Sequence, residues 1–439
     1  MLHAMSRFFV VLVQRYLPDA YLFAIILTFI SFVGALALTG KGFMAIITMW
    51  GNGLWGILAF AMQMILILVT GHALASSKPV KSFLRTLASI PSNGGQAAMM
   101  NCFAVGVASF LNWGFGLVVG ALLARELAKK VKNMDYALVV AAGYSGFVIW
   151  HGGISGSIPL AVASKGHIVE KLTGIIPTTQ TIFSSWNLII TWSIIITLPI
   201  LFKLMTPPDS EVKVVDPSLL VEPEEAKAPT QKTLATWLEN SVAINMIFGL
   251  MGVLYLGDYF MKNGMGNLSL NVVIMVFFIA GVILHITPIN YVRAVDEAIK
   301  GAGGIALQFP LYGGIQGIMV SSGLAGIIAN WFISFSTAYT FPLFTFFAGG
   351  VINLFVPSGG GQWIVQGPIN IPAGMALGVD PARVVMGISY GDQWTNMIQP
   401  FWALPLLGIA KLGVRDIMGY CCMTLIWSGI IIAAGLLLL

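Results

Sequence analysis

Four apolar stretches of the sequence are interrupted by glycine, proline and small polar residues, and the interruptions hold most side chains that could do chemistry. In the first half they lie at 112–116 and 151–157, and in the second half at 357–361 and 395–400. A helix broken inside a bilayer leaves backbone N–H and C=O groups that must be satisfied. A half-helix that begins there attracts an anion, and one that ends there attracts a cation. The breaks therefore predict an anion site flanked by cation sites.

Two overlapping sets of residues at these breaks are the candidates for binding. Glycines allow backbone amides to curl around an anion, and neutral hydroxyl or amide oxygens suit Na⁺. The predicted substrate-binding residues are Asn112, Trp113, Gly114, Ser155, Ser358, Gly359, Gly360, Gly361 and Asn396. The predicted ligands of a coupling ion are Asn112, Ser157, Ser358, Thr395, Asn396 and Asp392. Any one hydroxyl or amide could instead only cap its own helix.

Asp392 is the only carboxylate deep within a predicted span. Because a charge in lipid is costly, we interpret it as a coupling-ion ligand, a proton carrier or a gate. Pairing with a Trp indole or a freed backbone amide is the structural alternative. A shift of 246 residues places Gly146 opposite Asp392, so an ion site that uses Asp392 would be asymmetric. His151 lies in a break and could contact a solute, titrate or cap a helix.

The composition is that of a membrane protein. Hydrophobic residues make up 57% of the 439 residues and charged residues 9%, against about 25% charged in an average soluble domain. The net charge of +5 therefore does not indicate nucleic-acid binding. The three cysteines lack metal-ligand spacing, and no nucleophile elbow or Walker loop occurs. We expect no enzyme and no cofactor beyond a coupling ion such as Na⁺, with transport driven by an ion gradient.

The breaks recur at a nearly constant offset, which predicts a duplicated unit. A shift of 246 residues places Asn112 on Ser358 and Tyr144 on Tyr390. Stretches long and apolar enough to span a membrane run at 18–38, 56–77, 178–203, 240–259, 270–287, 303–322 and 417–438. The single extra span at 240–259 inverts the second copy relative to the first.

Positive charges set the orientation. Arg7 and Arg15 place the N-terminus inside, followed by a cytoplasmic loop that carries Lys78, Lys81 and Arg85. Only five of the 22 Lys and Arg residues then lie outside. The predicted fold is an all-α polytopic membrane protein with two inverted-topology repeats, each with a re-entrant hairpin and a broken transmembrane helix. Its parts are an N-terminal interfacial helix at 1–17, a first repeat at 18–203, a cytoplasmic linker at 204–239, a connecting transmembrane helix at 240–259 and a second repeat at 260–439.

Nearly the whole chain resembles the bacterial short-chain fatty acid transporter family of the AtoE type, within the wider ion-transporter superfamily. The most specific matching segments are 69–77, 112–116, 357–361 and 399–405. The resemblance implies uptake of monocarboxylates such as acetoacetate or butyrate across the bacterial inner membrane. It also implies a mobile transport domain with two hairpins, a scaffold that dimerises, and an elevator movement. The chain departs from the family pattern at His151, where glycine is common, and at Gln362, where histidine is common.

The leading hypothesis is a cation-coupled secondary transporter of short-chain monocarboxylates. A C4-dicarboxylate or other organic-anion carrier is the first alternative, although no intramembrane Arg or Lys is available for a second carboxylate. A non-transporting membrane subunit or a channel is a further alternative. The expected partners are a small carboxylate, the lipid bilayer and a second copy of the chain in a homodimer, without nucleic acid.

Overall fold

A computed structural model of the chain describes residues 5, 7–11, 15, 20–216, 220, 233–264, 270–357 and 359–439. All regular structure in these residues is helical, so the predicted all-helical fold is confirmed. Five helical stretches among them are long and apolar enough to cross a membrane, by length and composition. Ser358, most of the predicted interfacial helix at 1–17, and residues 217–219 and 221–232 of the predicted linker lie outside the described residues.

The helices follow each other in a similar order in the two halves. The first half contains α1 (Ala20–Leu38), α2 (Phe43–Gly53), α3 (Leu58–Ala75), α4 (Lys78–Ala88), α5 (Gly94–Leu111), α6 (Trp113–Lys130), α7 (Tyr136–Gly146), a 3-10 helix (Phe147–Gly152), α8 (Ser157–Val162), α9 (Glu170–Thr173) and α10 (Ser185–Leu204). Two helices connect the halves, α11 (Leu234–Glu239) and α12 (Val242–Asn263). The second half contains α13 (Leu270–His285), α14 (Pro288–Ile299), α15 (Gly303–Ser321), α16 (Leu324–Ile333), α17 (Phe341–Asn353), α18 (Gly359–Ala376), α19 (Pro381–Thr395), α20 (Ala403–Ala410) and α21 (Val414–Leu438).

The bounds of corresponding helices agree with the sequence offset. A shift of 246 residues carries α6 onto α18 and places the start of α8 on the start of α20. The same shift places the start of α4 on that of α16. The opposite orientation of the two halves, and the entry and exit of each hairpin on one membrane face, stay predictions.

The first helical hairpin turns at a single residue. Asn112 has extended backbone angles (φ −155°, ψ 121°) and serves as both C-cap of α5 and N-cap of α6. Its side-chain Oδ1 accepts a hydrogen bond from the backbone N–H of Phe115 at 2.9 Å. The two helices pack closely because a Cβ at Gly116 would overlap Ser109 and one at Gly120 would meet Val105 at 2.8 Å. This packing holds the tip in one position.

The second hairpin, formed by α17 and α18, packs against α19 along glycine surfaces. Gln362 on α18 donates through Nε2 to the carbonyl of Gly349 on α17 at 2.9 Å. A Cβ at Gly391 of α19 would overlap Phe346 O and lie 2.6 Å from the backbone N of Gly350, both on α17. The C-terminal part of α19, which carries Asp392, is therefore held directly against the hairpin.

The connection that carries Lys78, Lys81 and Arg85 was predicted to be a loop but is the helix α4, and its cytoplasmic location stays a prediction. Pro79 lies in the first turn, where its missing N–H costs no hydrogen bond. Leu84 and Ala88 are buried on one face of α4, and Arg85 lies exposed beside them. The positive charges thus belong to an amphipathic helix rather than to a connection without structure.

Gly391→Ala should destabilise the protein. The added methyl group meets backbone atoms of α17, which cannot rotate away, so we expect a loss of about 1–3 kcal/mol in the free energy of unfolding. Gly257→Ala is the matched control, because a Cβ there would have no described neighbour within 4 Å. Denaturant unfolding of the purified protein in detergent measures both variants. Equal stability of the two would contradict the close packing of α17 on α19.

Candidate functional site

His151 and Asp392 form a buried pair between the two halves. His151 Nε2 lies 3.1 Å from Asp392 Oδ1, and both side chains are fully buried. The backbone N–H of His151 also donates to Gln393 Oε1 at 2.9 Å. His151 belongs to the 3-10 helix of the first half and Asp392 to α19 of the second. The described partner of Asp392 is therefore a histidine, and not the indole or backbone amide considered as its structural alternative.

The tip of the second hairpin reaches the same place. A Cβ at Gly359, the first residue of α18, would lie 2.6 Å from Cε1 and 2.8 Å from Nε2 of His151 and would overlap Ser157 Oγ. Only glycine permits this approach. Ser157 Oγ is buried without a hydrogen-bond partner among the described residues. The start of α18 thus lies against the break at 151–157, with an unpaired hydroxyl beside it.

The tip of the first hairpin contacts the other end of the same break. The backbone N–H of Trp113 donates to Ser155 Oγ at 3.0 Å. The Trp113 ring packs edge-on against Trp150 and Trp402, with centroid distances of 5.8 and 4.9 Å. Asn112 Nδ2 is buried and has no partner within the described part of the chain. Both hairpin tips therefore converge on one break, and Trp402 adds a contact from the second half.

A narrow apolar cavity opens beside the first hairpin tip. Its walls come from four regions: α3, the first turns of α6, α15, and the segment after the break at 395–400. The lining residues are Ile67, Leu68, Trp113, Gly114, Leu117, Val118, Phe309, Phe401, Trp402 and Pro405. Because Trp113 and Gly114 form the first turn of α6, the cavity joins an apolar wall to the positive end of a helix.

The second break holds a cluster of neutral oxygens. Asn353 Nδ2 donates to Thr395 Oγ1 at 3.0 Å and to Asn396 Oδ1 at 2.8 Å. Thr395 Oγ1 in turn donates to Gly350 O at 2.7 Å. Asn353 Oδ1 and Asn396 Nδ2 are buried and unpaired among the described residues. Asn353 was not a predicted site residue, although an amide one turn before a predicted hairpin tip on an apolar helix was a usable signal.

Two tyrosines that correspond at the 246-residue offset support the breaks across the halves. Tyr144 OH donates to the backbone carbonyl of Asn396 at 2.7 Å. Tyr390 OH donates to Asn187 Oδ1 at 2.6 Å, and Asn187 Nδ2 donates to Gly152 O at 3.0 Å. Each tyrosine thus reaches the break of the other half, one directly and one through an asparagine. The sequence identified their correspondence but not this role.

The predicted residues fall into three neighbouring groups rather than around one point. Trp113 and Ser155 meet at the first tip, Ser157 and Gly359 meet beside the pair of His151 with Asp392, and Thr395 and Asn396 meet around Asn353. Gly360 and Gly361 lie in the first turn of α18, and a Cβ at Gly360 would have no described neighbour within 4 Å. Within the described residues, no three His, Cys, Asp or Glu side chains are grouped to hold a metal ion.

Tyr144→Phe should lower stability. The change leaves the buried carbonyl of Asn396 without its donor, so we expect a loss of about 1–3 kcal/mol in the free energy of unfolding. Tyr255→Phe, at an exposed position on α12, removes the same hydroxyl as a control. Unfolding curves of both variants provide the measurement. No difference between them would show that the Tyr144 hydroxyl does not hold the second break.

Comparisons with known proteins agree along the full length of the chain. A family model described as "Short chain fatty acid transporter" matches residues 1–439. A protein of Escherichia coli (strain K12) is 49% identical over 440 residues, which is 100% of both chains. One of Haemophilus influenzae (strain Rd) is 46% identical over 445 residues, which is 99% of each chain. Both are named "Putative short-chain fatty acid transporter".

One solved structure is also similar. A crystal structure of the YdaH transporter of Alcanivorax borkumensis, described as having an unusual topology, is 16% identical to this chain. The match covers 95% of this chain and 97% of that one, with a TM-score of 0.47.

Proposed function

Because the chain belongs to the short-chain fatty acid transporter family, we propose that it is a cation-coupled secondary transporter of short-chain monocarboxylates. Butyrate and acetoacetate represent this solute class. Family membership and several apolar helices make it a multi-pass membrane protein and a transporter. The proposed location is the bacterial inner membrane, with the N-terminus and the linker at 204–239 in the cytoplasm.

The apolar cavity at the first hairpin tip carries the proposal. A short-chain carboxylate has one charged end and one alkyl end. In the proposed complex the carboxylate lies at the N-terminus of α6, near the unpaired Nδ2 of Asn112, and the alkyl chain enters the cavity between Leu117 and Phe309. Helix dipole and amide donors then hold the charge, while burial of the chain contributes about 0.8 kcal/mol per CH₂.

The same cavity argues against a C4-dicarboxylate. A second carboxylate would need a second set of donors, and no Arg or Lys is among the residues that line the cavity. Burial of an unpaired carboxylate against Leu117 and Phe309 would be strongly unfavourable. A monocarboxylate, which has a single charge and an alkyl chain, matches the residues that line the cavity better than a dicarboxylate does.

Cation coupling and an elevator movement complete the proposal. The side-chain oxygens of Asn353, Thr395 and Asn396, of which Asn353 Oδ1 is unpaired among the described residues, could hold Na⁺. Asp392 is a fully buried carboxylate that could respond to a cation. In the proposed elevator movement, the two hairpins and their neighbouring broken helices move together as the transport domain. The helices α3 and α15 belong to the scaffold. The cavity therefore lies at the surface where the transport domain slides along the scaffold. We place the scaffold in a homodimer, as the resemblance implies.

Purified protein in proteoliposomes should take up labelled butyrate with saturation and take up little succinate. Na⁺ and proton gradients are imposed separately, and protein-free vesicles measure leakage. Saturable butyrate uptake supports monocarboxylate transport, and the gradient that drives accumulation identifies the coupling ion. Saturable uptake of succinate without butyrate would support the dicarboxylate alternative, and no saturable carboxylate uptake would overturn the proposal.

Leu117→Ala should move the preference towards longer chains. Leu117 is 1% exposed and lines the cavity, so its removal makes room for additional methylene groups. We expect the ratio of hexanoate to butyrate uptake efficiency to rise about 10-fold. Leu123→Ala removes the same volume from a buried position of α6 outside the cavity lining and should leave the ratio unchanged. Equal ratios in the two variants would exclude the cavity as the alkyl site.

A further inference from the structure

The His151–Asp392 pair lies apart from the residues that line the apolar cavity. Neither side chain contributes to that lining, and both are fully buried. His151 Nδ1 and Asp392 Oδ2 have no hydrogen-bond partner among the described residues. An acid and a base in contact, each with one free polar atom, form a group that can accept or release a proton inside the protein.

A row of buried carboxamides begins close to this pair. Gln362, Gln366 and Asn370 recur every four residues on α18, so they share one face of the helix, and all three are fully buried. Gln362 Nε2 donates to Gln366 Oε1 at 2.7 Å. Gln362 Oε1, Gln366 Nε2 and both polar atoms of Asn370 are unpaired among the described residues. Such groups are costly to bury unless water satisfies them.

Comparison with the first hairpin indicates that a row of amides is not required to build a hairpin. At the 246-residue offset, the corresponding residues of α6 are Gly116, Gly120 and Ala124. The first hairpin therefore packs this face with small residues, and the second fills it with amides. A purely structural requirement would apply to both copies, so the polar row indicates a task specific to the second hairpin.

Two contacts connect the row to the pair. Gly359, one helical turn before Gln362, faces the His151 ring. Gly349 lies against both Gln362 and α19, since its Cβ position is 3.2 Å from Gln362 Nε2 and 3.2 Å from Gly391 Cα. Asp392 directly follows Gly391 in the chain. The Gln362 end of the row therefore lies close to the pair of His151 and Asp392.

We propose that His151 and Asp392 form the proton-binding site that couples transport, with the face of Gln362, Gln366 and Asn370 as its hydrated access route. This proposal rests on the proposed transport function and names its coupling ion. In the unloaded pair, neutral His151 donates from Nε2 to the carboxylate of Asp392, which leaves one net negative charge. One proton then binds to the pair, where the imidazole of His151 and the carboxyl group of Asp392 are both needed to hold it, and neutralises the pair.

The charge balance gives a stoichiometry. One bound monocarboxylate adds one negative charge, and one proton on the pair offsets it, so the transport domain carries the same net charge when loaded and when empty. Uptake is then electroneutral, with one proton per solute. A charge added within a bilayer is costly, so the carrier moves most readily when proton and solute bind together.

Other ionisable groups on the helices around the pair have other partners or lie towards helix ends. Tyr144 and Tyr390 hold the breaks, and Arg383 Nη2 donates to Leu436 O at 2.9 Å. Cys102 of α5 and Cys421 of α21 are buried thiols. The remaining ionisable side chains, which lie nearer the ends of these helices, are Arg125, Glu126, Lys129, Lys130, Tyr136, Lys203, Arg415, Asp416, Tyr420 and Cys422.

Asp392→Asn and His151→Gln test the pair in proteoliposomes that contain a pH-sensitive dye. Butyrate counterflow measures solute binding and movement without net proton transfer, and an imposed pH gradient measures coupled accumulation. We expect both variants to retain counterflow but to lose proton-driven accumulation and butyrate-dependent proton entry, down to the level of protein-free vesicles. In the wild type, proton-driven uptake should not change when a potassium diffusion potential is applied.

Several results would overturn the proton site. Proton entry at the wild-type rate in either variant would contradict it. Loss of both counterflow and accumulation in both variants would also contradict it, because the pair would then have a structural or solute-binding role. Uptake driven by Na⁺ alone would also exclude it. Absence of butyrate counterflow in the wild-type protein is a different outcome, because it removes the proposed function itself.

Asn370→Leu tests the access route. We expect proton-driven uptake to slow at least several-fold while counterflow is unchanged, because an apolar side chain of similar size excludes water. Asn245→Leu on α12 is the control, since Asn245 is another buried amide and lies in the helix that connects the halves. Equal proton-driven rates in the two variants would show that protons reach the pair by another path.

Discussion

Each broken helix of this protein depends on a hydrogen bond from elsewhere in the fold, because a bilayer offers no water to its freed backbone groups. Tyr144 supplies that bond to Asn396, and Tyr390 with Asn187 supplies it to Gly152. The second half's break is thus bonded by the first half, and the bond to Gly152 comes from an asparagine that the second half orients. The interleaved halves, the small residues that allow them to touch, and the convergence of both hairpin tips follow from this mutual requirement.

Close backbone approach is the second condition for the site. Gly359 touches His151 and Ser157, and Gly391 touches α17, so a single methyl group at either position would separate the elements. The mutual contacts set the positions of Asp392 and the oxygens around Asn353 by packing rather than by loop conformation. Binding groups held in this way retain their geometry when a domain moves as one body.

Much of the architecture was accessible from the sequence because its signals are local. Apolar length predicted the long helices, and glycine or proline inside them predicted the breaks at Asn112 and after Thr395. What could not be predicted depends on contacts between distant residues. The pairing of His151 with Asp392 joins residues on different halves, and the amide row on α18 gains significance only when its burial is known. The helix α4 was missed because its charges resemble those of a loop, while its apolar positions are too few for a span.

The contrast between the two hairpins shows which of their features this helix order requires. The face of α6 that packs its hairpin is made of glycine and alanine, whereas the matching face of α18 carries amides at 362, 366 and 370. Helices of equal length, at corresponding places in the chain, thus accommodate either a dry packing face or a polar one. The architecture of a hairpin therefore leaves the chemistry of this face open.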